Sequence, residues 1–267
     1  MSANTELWNK TIGQCLDELA LNYPDNEAVV YNDIPYRRTW KEFNDECNVI
    51  ARGLIELGVG KGDHVAIWAT NVPEWLLTFY ATIKLGAVLV TVNTAYKVFE
   101  LEYLLRQSDS KVLVMIDGWK SNSYVDIVNE LCPALKNQNP ERLKLPMLPC
   151  LKNILYVGEK TPAGMLNFNC LYERANETPP EMLSALAEQL DPDEVINMQY
   201  TSGTTGFPKG VMLTHKNILN NGRFIGDNMK FTENDRLCIV VPLFHCFGMV
   251  LAMMACITHA ATMVPVD

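Results

Sequence analysis

The sequence predicts an α/β fold built from mostly parallel sheets with helices on both faces. Short, uninterrupted apolar runs recur along the chain, "HVAIWA" at 64–69, "VLVTV" at 88–92, "VLVMI" at 112–116 and "NILYV" at 153–157. A strand that is apolar along its whole length is covered on both faces, as in parallel sheets. Segments with helical apolar spacing lie between these runs, the alternation expected of crossover units. With 267 residues, 48% apolar and 20% charged, the chain can bury a large core in one domain or two.

In chain order, "VVYNDIPYRRTW" leads to Thr39, which forms a capping box with Glu42. The helix that follows has an apolar face of Phe43, Cys47, Ile50, Leu54 and Leu57, and Gly58 closes it. After the strand at 64–69 a helix opens at Pro73 and closes at Gly86. The strand at 88–92, a helix near 98–107 and the strand at 112–116 complete a first α/β portion, residues 1–131. Residues 132–152, including "CPALKNQNPERLKLPMLPC", are rich in Pro and read as an irregular connection. The third portion, 153–267, holds the strand at 153–157, helical sequence near 179–189 and the strand "VINMQY" at 195–200. No internal repeat is present.

From Leu237 to Ile257 only His245 is strongly polar, and about 20 apolar residues suffice to span a bilayer. Pro242, His245 and Gly248 interrupt that run. It divides into a buried strand (237–241), a turn, and a buried helix from Gly248 onward, and no transmembrane span is expected. The formal charge of -9 and the absence of basic runs argue against a nucleic-acid partner. The eight cysteines form no C-x-x-C pair, and "MSANTELWNK" carries neither a signal core nor an Arg-rich amphipathic pattern, so reduced thiols and a cytoplasmic location are expected. His64, His215 and His259 show no metal-ligand spacing, and no metal ligands are assigned.

The stretch "YTSGTTGFPKG" (200–210) joins "VINMQY" to "GVML". Its three glycines let backbone N–H groups converge on an anion, Thr201, Ser202, Thr204 and Thr205 add hydroxyl donors, and Lys209 adds a mobile charge. It is not the common nucleotide P-loop, because no Gly-Lys-[Ser/Thr] occurs. A flexible polar linker is the competing reading; the apolar strands on either side favour a phosphate cradle.

"YTSGTTGFPKGVMLTH" (200–215) resembles the signature loop of the AMP-forming adenylating enzymes, the superfamily of acyl-CoA synthetases, luciferases and peptide-synthetase adenylation domains. "VPLFHCFG" (241–248) resembles that superfamily's second signature, and "GDHVAIWATNVPEWLLTFYATIKLGAVLVTVNTAY" (62–96) is similar to the early part of the same domain. "INMQYTSGTTGFPKG" and "VNTAYKVFELEYLL" look most like the medium-chain acyl-CoA synthetases. The resemblance implies the N-terminal part of an AMP-binding large domain and a two-step ligase. A fatty acid attacks the α-phosphorus of ATP to give an acyl-adenylate and pyrophosphate, and coenzyme A then displaces AMP.

Under that resemblance Thr201, Ser202, Gly203, Thr204, Thr205, Gly206, Phe207, Pro208 and Lys209 hold ATP phosphates, and His245 helps to place the substrate carboxylate. A lone His in an apolar run is otherwise more often a satisfied core residue. Cys246 is not read as a nucleophile, because neighbours on a turn should point apart. The Met-rich "MVLAMM" (249–254) reads as buried helix before acyl-tunnel wall. ATP, Mg²⁺ and coenzyme A are the implied small molecules; oligomeric state leaves no mark.

The family's acidic Mg²⁺ residue, its ribose Asp and the Lys of its small C-terminal domain find no match, and Asp235 opens a strand in a different place. The chain therefore reads as the front part of a synthetase, with the small domain absent. A natural short protein that binds nucleotide or acyl chains without catalysis, or an aryl-CoA ligase, are the alternatives. As a fragment it is expected to leave the apolar surface of 237–257 and the strand "ATMVPV" without partners.

Overall fold

A computed structural model of the chain describes residues 6–201 and 207–266. Thr11 and Gln14 form a capping box that starts α1 (Ile12–Asn22). β1 (Glu27–Val30) and β2 (Arg37–Thr39) follow, and the Thr39–Glu42 box starts α2 (Trp40–Glu56). Then come β3 (His64–Trp68), α3 (Pro73–Lys84) with Pro at its first position, β4 (Val88–Thr91), α4 (Val98–Gln107) and β5 (Val112–Met115). A small hairpin of β6 (Gly118–Trp119) and β7 (Asn122–Ser123) leads into α5 (Tyr124–Leu131). Beyond the Pro-rich connection lie β8 (Asn153–Tyr156), β9 (Leu166–Asn167), α6 (Cys170–Arg174) and α7 (Pro180–Ala187). The rest is β10 (Val195–Thr201), β11 (Lys209–Thr214), α8 (His215–Met229), β12 (Arg236–Ile239), a π-helix (Phe247–Met253), α9 (Met254–His259) and β13 (Thr262–Pro265).

Seven strands form one sheet in the order β11-β10-β4-β3-β5-β8-β9, parallel except for the β10–β11 pair. Side chains alternate between its two faces. Val65, Ile67 and Leu89 join one core with α3, whereas Ala66, Trp68 and Val90 join a second core with Leu101 and Leu104 of α4 and Tyr124 of α5. Trp68 and Tyr124 stack with ring centroids 3.7 Å apart. This two-sided cover explains why these strands carry no polar alternation, and the α/β class is as the sequence predicts.

The second sheet has the order β12-β13-β1-β2. α3 packs on β3 and β4, α2 packs on β1 and β2, and α2 and α3 pack on each other, so helices fill the space served by both sheets. Both sheets draw strands from either side of the 132–152 connection.

One expectation is corrected here. "ATMVPV" is not an unpartnered edge: β13 is buried along its length and pairs in parallel with β1 on one side and β12 on the other. Its partner β1 comes from the start of the chain, a long-range pairing that local sequence does not encode. Met249, Met253, Met254, Ala255, Cys256 and Ile257 are likewise buried, packed against α8 and α1, whereas the expected buried strand at 237–241 is only half covered, because β12 is an edge strand with Cys238 exposed and Val240 beyond it exposed as well. Among the described residues no helix is long and apolar enough to cross a membrane.

Candidate nucleotide site at the carboxyl edge

β10 runs parallel to β4, and its last residue, Thr201, faces Lys209 across the antiparallel pair with β11. Directly opposed side chains on such a pair lie about 5 Å apart, so one hydroxyl and one ammonium flank the mouth of the intervening loop. Both residues are exposed. The mouth stands at the carboxyl edge of the parallel strands, where open α/β sheets place ligands. Ser202, Gly203, Thr204, Thr205 and Gly206 lie outside the described residues.

The returning limb of the loop is anchored to α4. The Phe207 ring stacks on Tyr103 at 5.2 Å and leans toward Phe99 at 6.3 Å. Tyr103 Oη donates to the Pro208 carbonyl at 3.2 Å. Lys209 therefore begins β11 from a backbone fixed on one side by an aromatic cluster and on the other by the ladder to β10. Burial raises the neighbouring Tyr200 phenol to about 12, so it remains neutral through physiological pH.

His245 sits in the turn between β12 and the π-helix and is exposed. Its Nδ1 accepts the Phe247 N–H at 3.2 Å, which places the proton of the neutral ring on Nε2. Cys246 Sγ lies 3.7 Å from the same Nδ1. The two side chains thus approach each other rather than pointing apart, because the turn enters the π-helix and the ring folds back over its first amide.

Asn71 is the site residue that sequence reasoning passed over. Its side chain donates to the carbonyls of Val241 (3.1 Å) and Val266 (3.0 Å) and accepts from the Leu243 N–H (2.9 Å). Tyr31 Oη in turn donates to the Asn71 carbonyl. One buried amide therefore ties the end of β13 to the turn that carries His245. The only signal was its place in "ATNVPEW", two residues before the proline that starts α3.

Beside that turn Asn71, Thr94, Trp119, Pro242 and Phe244 line a cavity of ≈ 170 Å³. Gln199 Nε2 reaches Met249 Sδ at 3.7 Å, so β10 and the π-helix touch two residues before Thr201 and four after His245. The fold thus brings both sequence motifs to one edge. Among the described residues no three His, Cys, Asp or Glu side chains converge as an ion site, and none is assigned to Mg²⁺.

A sequence model described as AMP-binding enzyme matches residues 16–267. The chain belongs to the AMP-binding enzyme family. YngI of Bacillus subtilis (strain 168), named as an acyl-CoA synthetase, is 50% identical over 262 residues, which are 98% of this chain and 48% of YngI. The mitochondrial medium-chain acyl-CoA ligase ACSF2 of Danio rerio is 37% identical over 246 residues, 91% of this chain and 40% of that protein. A crystal structure of the anthranilate CoA ligase AuaEII in complex with anthranoyl-AMP superposes with a TM-score of 0.81 at 25% identity, covering all of this chain and 46% of that one. The chain spans about half the length of these AMP-binding relatives.

Proposed function

We propose that this AMP-binding chain is the nucleotide-holding part of an AMP-forming fatty acid:CoA ligase that activates medium-chain acids for lipid metabolism. The observation that carries the reading is the Thr201–Lys209 mouth at the carboxyl edge of β10. ACSF2 proteins, named for medium-chain acids, match nearly the whole chain, which supports the substrate class. In this reading the backbone and hydroxyls of residues 201–208 receive the β- and γ-phosphates of ATP, and Lys209 offsets charge that develops as pyrophosphate leaves. An acid in that loop would repel the phosphates, and none is present. His245, held by Asn71 through the turn, orients the fatty carboxylate. Coenzyme A is the acceptor of the second step. Eight free cysteines support a reducing, cytoplasmic setting.

Fatty-acid-dependent exchange of pyrophosphate into ATP by the intact enzyme tests the reading. Lys209→Ala is expected to slow exchange by about 10²-fold, the usual effect of removing one preorganised donor to transition-state charge. Unchanged exchange would remove Lys209 from the mechanism. Octanoate is expected to exceed benzoate in kcat/KM, since each buried CH₂ contributes about 0.8 kcal/mol. The similarity to AuaEII makes an aryl-CoA ligase the second reading, and a preference for benzoate would select it.

A further inference from the structure

A second cleft, of ≈ 490 Å³, opens between α1, α2, the end of α3 and α7, a size typical of small-molecule sites. Lys84 ends α3 just before β4 begins, so this cleft is at the amino end of the parallel strands. The Thr201–Lys209 mouth is at their carboxyl end, so the two lie at opposite ends of the parallel strands.

The chemistry of the cleft is two-sided. α2 contributes Asp45, Asn48, Val49 and Arg52, whose spacing places them on one helix face. The opposite wall is apolar, with Leu183 and Ala187 of α7 and Leu190 beyond it. Both carboxylates of the cleft already have a cation. Asp17 Oδ1 accepts from Lys84 Nζ at 2.6 Å, with Lys84 only 5% exposed, and from Asn44 Nδ2 at 2.9 Å. Asp45 Oδ2 pairs with Lys41 Nζ at 2.5 Å. Arg52 has no such partner: its Nη1 donates to the Thr178 carbonyl at 3.1 Å, and among the described residues no carboxylate pairs with it. Arg52 is thus the one cation lining the cleft that has no carboxylate within ion-pair distance among the described residues.

We propose that this cleft binds a monocarboxylate with a short apolar tail, the carboxylate on Arg52 and the tail along Leu183, Ala187 and Leu190. A guanidinium matches the two oxygens of a carboxylate in a paired contact. A neutral ligand leaves that charge uncompensated, a cation meets it, and a dianion meets the carboxylates of Asp17 and Asp45 once Arg52 is neutralised. The apolar wall adds transfer free energy that a small hydrophilic anion does not gain.

Calorimetric titration of the 267-residue chain with octanoate, octanol and octylamine tests this. Octanoate is expected to saturate one site per chain, octanol to bind at least ten-fold more weakly, and octylamine to show no saturable binding. Arg52→Gln is expected to abolish the preference for octanoate over octanol, and Leu190→Glu to weaken octanoate at least ten-fold. A carboxylate held at the His245 edge instead would keep its preference in Arg52→Gln, and that result overturns the proposal while leaving the ligase reading intact. Should Arg52→Gln lose cooperative unfolding, the unsubstituted chain decides: equal affinities for octanoate and octanol, or no saturable octanoate binding, overturn the proposal.

Discussion

His215 opens α8 and is fully buried. Its Nδ1 accepts the N–H of Ile12, one of the unpaired amides at the start of α1, at 3.2 Å, and its Nε2 has no partner among the described residues. Burial lowers its pKa from 6.5 to about 4, against a smaller opposing pull from Glu194. The unfolded chain takes up a proton at this ring as pH falls through 6.5, and the folded chain does not until about 4. Neutral His215 therefore contributes stability that is present above pH 6.5 and is lost as pH falls toward 4. Between pH 7.5 and pH 5 the loss from this group is about 2 kcal/mol. Urea denaturation at the two pH values reads it, and His215→Gln, whatever its own cost, is expected to flatten that pH dependence. An equal slope in both proteins would mean that the ring is already charged in the fold.

α8 and α9 approach closely enough to make one glycine indispensable. A Cβ on Gly222 would overlap the Met254 Cβ and lie 2.8 Å from the Met254 carbonyl carbon. Gly→Ala inside a helix normally stabilises by up to about 1 kcal/mol, whereas overpacking a core costs about 1–3 kcal/mol. The backbone contact cannot yield as a flexible side chain would, so Gly222→Ala is expected to lower the Tm by several degrees. A raised Tm would show that the two helices stand further apart. The same helix marks where local signals failed. α2 was legible because Thr39, Glu42 and a regular apolar stripe agree, and the strands at 64–69, 88–92, 112–116 and 153–157 were legible because two-sided burial makes them uniformly apolar. α8 was not, since its capping box uses Thr214 and Asn217 and its interior holds two glycines and several asparagines. No element was expected over α1, which begins just past "MSANTELWNK". Of the site, the Thr201 and Lys209 mouth and the His245 turn were visible as motifs. Asn71 was not, because its role consists of three hydrogen bonds to residues about 170 to 195 positions away.

At the scale of the whole molecule, β11 and β12 end their sheets with one side unpaired among the described residues. β11 exposes Met212 (63%) and Val211 (40%), and Val240 just past β12 is 71% exposed. Open apolar edges template pairing with another chain. The 267-residue chain is therefore expected to self-associate with rising concentration, and Met212→Lys together with Val240→Lys to raise the dissociation midpoint about ten-fold, equivalent to roughly 1.4 kcal/mol. Sedimentation velocity measures both. A 30.1 kDa species at every concentration would show that these edges are already blunted.

The pairing of β1 with β13 also sets a timetable. Thr262 Oγ1 donates to the Glu27 carbonyl across 235 positions of sequence, and at ribosomal speeds of about 5–20 residues per second those positions take roughly 10–50 s to make. Throughout that interval β1 has only β2 beside it, and a two-stranded hairpin is barely stable in water. Val29 and the helix faces that share its core stay wet while α2, α3 and most of the seven-stranded sheet are already complete. A nascent chain arrested before residue 262 should consequently be held by chaperones or cut by proteases at its earliest strand.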